Sequence, residues 1–196
     1  MKIGIISLQG AVPEHIDMVS QALDNLGLSG EAVAVRHPKE LSESSALILP
    51  GGESTTISKL LKRFDLHDPL IKAAKEGVPI MGTCAGCILM AKEGDEEVAK
   101  TKTELLKIMN MRVDRNAFGR QRESFEAPLD VKGFNSPFPG IFIRGPLIEE
   151  VYGKCEALSY YDDKIVMAKQ DNLIGLSFHP ELSGDSRIHE MFLKMI

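Results

Sequence analysis

The stretch Val78-Pro-Ile-Met-Gly-Thr-Cys-Ala-Gly-Cys-Ile-Leu-Met-Ala-Lys92 decides how the chain is read. Val78–Met81 is a short apolar run that predicts a buried strand, Gly82 to Gly86 predicts a turn, and Ala85–Lys92 predicts a helix. Strand, turn and helix with Gly-x-Cys-x-Gly at the bend form the pattern of a nucleophile elbow, whose flanking glycines permit a sharp turn and close helix packing. A cysteine at that bend gains twice. A helix start favours the reactive thiolate, and the backbone N–H groups just after it point at a developing oxyanion. A buried structural cysteine is the plainer alternative, and the most common fate of a free thiol. The glycine pair and its strand–turn–helix setting favour the nucleophile.

Upstream of the elbow, strand and helix signals alternate. Lys2–Leu8 predicts a strand that ends at Gln9-Gly10. Val12, Ile16, Val19, Leu23 and Leu26 then recur at helical spacing, and Gly27 supplies a stop. Ala32–Val35 and Ala46–Leu49 predict further strands, the latter closed by Pro50-Gly51-Gly52. Ser54–Phe64 and Pro69–Glu76 predict helices, with Gly77 ending the second. Short apolar strands alternating with amphipathic helices imply βαβ units on a parallel sheet. Downstream, from Leu106 to Phe178, strands alternate with turns marked by Gly133, Pro137, Pro139-Gly140, Gly145-Pro146 and Gly153. Hairpins are expected at Asp162-Asp163 and Asp171-Asn172. A last helix is expected from about Asp185 to Ile196, and the acidic Gly94–Glu97 reads as a solvated loop. With no repeat and no linker, residues 1–196 are expected to form a single α/β domain.

Composition narrows the field. The chain has 196 residues, 43 % of them apolar and 26 % charged, so it has enough material for one buried core. A net charge of −5 gives no positive field for a phosphate backbone, which excludes nucleic acid as the expected partner. No apolar stretch reaches the roughly 18–20 residues of a membrane span. The N-terminal residues lack the charged and apolar regions of a signal peptide, so the expected location is cytoplasmic. Three cysteines and five histidines make neither a disulfide framework nor a zinc ligand set. No metal and no cofactor are expected. His15, His37, His67 and His189 lack a carboxylate at triad spacing and are expected at surfaces or helix ends.

Two more segments end predicted strands, where open α/β sheets bind ligands. In Leu176-Ser-Phe-His-Pro-Glu181, His179 and Glu181 are two residues apart, which in extended backbone places both side chains on one face. The carboxylate can then take one imidazole nitrogen and leave the other for a nucleophile. His-Pro-Glu alone would suit a surface turn equally well; with Cys84 it completes a Cys–His–Glu triad. Leu49-Pro-Gly-Gly-Glu-Ser-Thr-Thr56 lacks the lysine and spacing of a phosphate loop. It reads either as a plain turn into a helix or as the source of a second oxyanion N–H, from Gly52.

Gly-Thr-Cys-Ala-Gly together with His-Pro-Glu resembles the class I, or triad, glutamine amidotransferases. Longer strings resemble one branch, the glutaminase subunits of pyridoxal phosphate synthases. These strings are Leu8-Gln-Gly-Ala-Val12, Pro50-Gly-Gly-Glu-Ser-Thr-Thr56, Arg115-Asn-Ala-Phe-Gly-Arg-Gln121, Phe142-Ile-Arg144 and Ser177-Phe-His-Pro-Glu-Leu182. They span nearly the whole chain, and Arg115–Gln121 is the most specific. The resemblance implies a flavodoxin-like three-layer sandwich, with a mostly parallel central sheet, helices on both faces and added antiparallel strands in the second half. It implies Cys84 as nucleophile, His179 as base and Glu181 as orienter, with the Gly52 and Ala85 N–H groups as oxyanion hole. It implies L-glutamine bound against Gly52, Glu53, Ser54, Arg115, Ile143 and Arg144. It also implies a synthase subunit as partner in a hetero-oligomeric complex. An arginine suits the α-carboxylate of glutamine, but the residues alone do not rank Arg115 or Arg144 above Arg120 or Arg122.

Three features depart from the family pattern. Gly145 stands where alanine is usual, Cys87 where an aliphatic residue is usual, and Gly94–Thr103 is dissimilar. Cys84-Ala-Gly-Cys87 also admits a thioredoxin-like dithiol protein. That reading leaves Gly51–Ser54 and His179–Glu181 unexplained. A glutaminase of imidazole glycerol phosphate synthase lacks the Arg115–Gln121 string, and an intact triad speaks against a non-catalytic module.

Overall fold

Ile3, Ile5, Ala46 and Ile48 pack into one apolar core, while Ile6, Leu47 and Leu49 pack into another. Alternate residues of a strand face opposite sides, so two cores mean a sheet covered on both faces. In the computed structural model, which describes residues 1–115 and 124–196, the chain begins β1 (Lys2–Ile6), α1 (Val12–Leu26), β2 (Glu31–Val35), α2 (Pro38–Ser42), β3 (Ala46–Leu49), α3 (Ser54–Arg63), α4 (His67–Lys75), β4 (Ile80–Thr83) and α5 (Ala85–Met90). It continues with β5 (Ala91–Gly94), α6 (Glu96–Lys100), β6 (Met109–Asp114), β7 (Ser124–Leu129), β8 (Phe138–Ile143), β9 (Leu147–Val151), β10 (Glu156–Tyr161), β11 (Lys164–Gln170) and β12 (Leu173–Leu176). A 3-10 turn, Pro180–Leu182, precedes α7 (Arg187–Leu193).

The sheet runs β2-β1-β3-β4-β12-β11-β9-β6-β5, with β10 paired on β11. The first five strands in that order are mutually parallel. The β11 and β9 pairings that follow are antiparallel. Side chains of α2, α3, α4 and α5 pack into one core. Those of α1, α7 and the separate β7–β8 ribbon pack into the other, where Phe125 and Phe142 stack with centroids 4.7 Å apart. This is the three-layer architecture the resemblance implies. Because β1, β3, β4 and β12 are parallel neighbours, the loops at their carboxyl ends emerge at one edge of the sheet. Residues 9–11, 50–53, 84 and 177–181 lie in those loops.

Most predicted elements stand within two residues of their expected bounds. Gly27 adopts the left-handed conformation expected of a helix stop, with φ 63°. The differences have local causes. The helix after the elbow ends at Met90, because Ala91 turns extended (ψ 150°) and starts a strand beside β6; Lys92 is therefore in β5. Gly94–Glu97 is not a loop throughout. Asp95 caps α6, its Oδ1 accepting from the Val98 N–H at 2.9 Å. The last helix is shorter than expected at both ends. Pro139 and Gly140 lie inside β8 rather than in a turn, which a two-stranded ribbon tolerates because half of its backbone groups need no partner.

The histidines require the largest correction. His37 is exposed at the start of α2, as expected, and His67 opens α4. His15 and His189, however, sit within α1 and α7 and are both fully buried.

Candidate active site

Cys84 lies at the bend between β4 and α5 with φ 49° and ψ −106°. A side chain in that region is strained, as a nucleophile elbow requires. The glycines on either side are needed for contact. A Cβ on Gly86 would stand 2.0 Å from the Leu49 carbonyl oxygen, and one on Gly82 would stand 2.7 Å from the Gly86 backbone. The helix can therefore close onto β3 and β4 only with glycine at both positions. The Cys84 N–H donates to the Leu176 carbonyl at 2.7 Å, tying the elbow to the end of β12.

His179 and Glu181 follow β12. The Glu181 carboxylate accepts at Oε1 from His179 Nδ1 at 2.7 Å, with its side chain fully buried. The Cys84 side chain lies on the same imidazole and favours its charged form. Burial opposes charge on this imidazole, but the contacts with Cys84 and Glu181 outweigh it and raise its pKa to about 10. At neutral pH it is an imidazolium between a sulfur and a carboxylate. This interaction stabilises the fold fully below the ordinary histidine range and is lost as pH rises through about 10. Gly51 is the spacer beside the pair, since a Cβ there would meet His179 Cε1 at 2.6 Å and Cys84 Cβ at 3.3 Å. The expected triad is thus assembled from two strand ends.

The loop after β3 packs on the loop after β1. A Cβ on Gly10 would meet the Gly51 carbonyl oxygen at 1.9 Å, and the Glu53 N–H donates to Gln9 Oε1 at 3.2 Å. Glu53 caps α3, accepting from the N–H groups of Thr55 (3.0 Å) and Thr56 (2.7 Å) and from the Thr56 hydroxyl (2.6 Å). Partial burial works against its charge, but these bonds prevail and hold its pKa at about 2. A depressed carboxylate contributes stability above its ordinary pKa and loses it as pH falls through the folded value. Glu53→Ala is expected to cost about 1 kcal/mol at neutral pH, with the gap from wild type closing between pH 4.5 and about 2. Chemical denaturation at a series of pH values checks this, and a gap independent of pH would refute it.

Arg115 ion-pairs with Glu53 and donates to Thr55 Oγ1 (3.0 Å) and Thr101 Oγ1 (3.3 Å). Its own N–H donates to Asp95 Oδ2 at 2.9 Å. The α6 cap, read from sequence as part of a solvated loop, thus helps hold the predicted substrate arginine. Ser54 is buried, and its hydroxyl has no hydrogen-bond partner among the described residues. On the far side of the nucleophile, Ile143 brings its carbonyl oxygen to 4.0 Å from Cys84 Sγ. Arg144 follows with φ 47°, and a methyl at Gly145 would meet the Ser177 carbonyl at 2.3 Å, so the local spacing calls for glycine. Arg120, Arg122 and the rest of the 116–121 string lie outside the described residues. Cys87 is fully buried, and burial pushes its thiol far up, which suits a packing residue rather than one half of a dithiol pair. Among the described residues no cluster of metal-ligating side chains occurs, and no helix is long and apolar enough to cross a membrane.

A cysteine on a strained elbow, beside a histidine that a buried carboxylate holds, is an arrangement able to carry nucleophilic acyl transfer on an α/β sheet. The chain belongs to the SNO glutamine amidotransferase family, whose model matches residues 5–196. It is 52 % identical, over 100 % of its length and 98 % of the relative's, to the protein named pyridoxal 5'-phosphate synthase subunit PdxT from Methanosarcina barkeri. It is also 52 % identical to the protein of that name from Archaeoglobus fulgidus, with the same coverage. A solved structure described as a glutamine amidotransferase superposes with a TM-score of 0.87 at 41 % identity, over 98 % of this chain and 97 % of that one.

Proposed function

We propose that residues 1–196 form one glutaminase domain that hydrolyses L-glutamine to L-glutamate and ammonia and passes the ammonia to the synthase subunit of a cytoplasmic pyridoxal 5'-phosphate synthase complex. The observation that carries this reading is Cys84 on its elbow beside the His179–Glu181 pair, in a chain of the amidotransferase family. The Cys84 thiolate attacks the side-chain amide carbon of glutamine. The oxyanion is held by the N–H groups of Gly52 and Ala85. His179, charged at rest, protonates the departing nitrogen, so ammonia leaves and a glutamyl thioester remains. The now neutral His179 takes a proton from water, whose oxygen displaces the thiolate and frees glutamate.

Glutamine is zwitterionic at its α-carbon, and Arg115 with Glu53 offers one charge of each sign to that end. Gly52, Ser54, Ile143 and Arg144 line the same space on this reading. The test is glutamate release by the purified chain, alone and with the synthase subunit. Absence of glutamate under both conditions would overturn it.

Within this mechanism Glu181 exchanges no proton; it fixes the tautomer of His179 and stabilises the imidazolium. Glu181→Gln is expected to lower kcat by roughly 10³-fold, with KM for glutamine nearly unchanged. His179→Asn is expected to be more damaging. If steady-state kinetics rank the two in the opposite order, the roles are wrongly assigned.

A further inference from the structure

Glu181 has two carboxylate oxygens, and the triad uses one. The other, Oε2, is buried and lies 3.4 Å from Nε2 of His15, a residue on α1. His15 is fully buried and far in sequence from the triad. Its Nδ1 is 3.2 Å from Nε2 of His189 on α7, also fully buried, and its Nε2 is 3.4 Å from the hydroxyl of Thr83 beside the nucleophile. Five side chains therefore run in one line from α7 to the sulfur: His189, His15, Glu181, His179 and Cys84.

The protons on this line can be placed by elimination. Burial keeps His15 and His189 neutral, so each ring has one N–H and one lone pair. Suppose His15 carried its proton on Nδ1 and gave it to His189. Its Nε2 lone pair would then face a carboxylate oxygen, and the Nδ1–H of His189 would be buried without an acceptor, since that atom has no partner among the described residues. Orphaned buried donors are rare. In the opposite arrangement His189 Nε2–H donates to His15 Nδ1, and His15 Nε2–H points at Glu181 Oε2 and the Thr83 oxygen. The His189 Nδ1 lone pair is then left without a partner, and Glu181 Oε2 has the His15 N–H side of the ring at 3.4 Å, a charge contact short of hydrogen-bond geometry. The second carboxylate oxygen then faces a polarised N–H at 3.4 Å while the first is held by His179, which restrains the plane of the group.

We propose that His15, itself oriented by His189, is a positioning residue for the glutaminase reaction, holding Glu181 by its second oxygen so that the first stays on His179 Nδ1. This role rests on the reading of Cys84, His179 and Glu181 as the triad. His15 touches neither substrate nor nucleophile. It acts on kcat by keeping the His179 ring aimed at Cys84, since small displacements of a catalytic group cost large factors in rate.

Two measurements test this. In protein labelled with ¹⁵N-histidine, the nitrogen shifts and N–H correlations of the wild type report which ring nitrogen carries the proton. Both His15 and His189 are expected as Nε2–H tautomers, and an Nδ1–H tautomer at His15 overturns the proposal whatever the activity. The second measurement is kinetic, with the synthase subunit present. His15→Leu keeps the bulk and removes the donor, so it is expected to lower kcat by roughly tenfold to hundredfold with KM within about twofold. His15→Gln places an N–H donor near the former Nε2 and is expected to recover most of the loss. A leucine variant with wild-type kcat overturns the proposal. So does an equal loss in both variants that tracks a fall in Tm, which would make His15 merely structural. If the leucine variant fails to fold, the wild-type tautomer decides. Failure of the triad reading looks different, because Cys84→Ala would then release glutamate at the wild-type rate.

Discussion

Cys84→Ala is expected to lower glutamate release by about 10⁵-fold while the protein stays folded. No other residue at the site can replace the nucleophile: Cys87 is fully buried with its thiol pushed far up, and Ser54 is the first residue of a helix on another loop. The loss should greatly exceed that of Glu181→Gln, because without sulfur no thioester forms and the two-step route is closed. The structural cost should be small. Alanine keeps the Cβ that contacts the elbow, and the φ of 49° strains either residue alike. Activity and stability should therefore separate, and the measurement is glutamate release alongside thermal unfolding of the same preparation. Normal turnover by the alanine variant would sink the assignment of the nucleophile.

The elbow is legible because its chemistry is local. Two glycines, a cysteine and an apolar run on each side are adjacent in the chain, and each needs the others within one turn. The pairing of His179 with Glu181 is legible for the same reason. The parallel core is legible because its strands are buried on both faces and read as continuous apolar runs between helical periods. A carboxylate at triad spacing does not reveal His15 and His189, because their partner is brought by the fold and not by the chain. A signal was present all the same. His15 falls three residues after Val12 and four before Val19, on the apolar stripe of α1, and His189 falls three before Phe192 on that of α7. A histidine on a buried stripe must find a polar partner inside the core. The support of Arg115 is hidden for a different reason. The charge of Gly94–Glu97 suits a solvated loop, although an aspartate followed by two glutamates and then valine is also a helix start, with the acids at the positive end of the dipole.

Mixing the chain with the synthase subunit is expected to raise glutamate release by about tenfold or more and to yield a complex on a sizing column. The argument begins with the product. Ammonia in bulk water is diluted and protonated, so a glutaminase that serves a synthesis gains by releasing it where the acceptor waits. The sequence shows no phosphate-cradling loop, and its net charge is −5, so on the proposed function any chemistry on phosphorylated substrates is expected on the synthase subunit. The docking face is expected at the loops after β1 and β3, where Gln9, Gly10 and Gly52 are exposed. The loop after β3 carries Gly52, the proposed oxyanion donor. Gly52 has φ 148°, and the next peptide is held by Gln9 through the Glu53 N–H. A partner that presses on Gln9 therefore acts directly on the peptides beside Gly52. Contacts that aim the Gly52 N–H at the oxyanion strengthen binding of the transition state more than that of glutamine, and so raise kcat rather than lower KM. Gln9→Ala should weaken the response to the partner while Cys84, His179 and Glu181 remain in place. Equal rates for the chain alone and mixed, with no complex eluting, would refute the coupling.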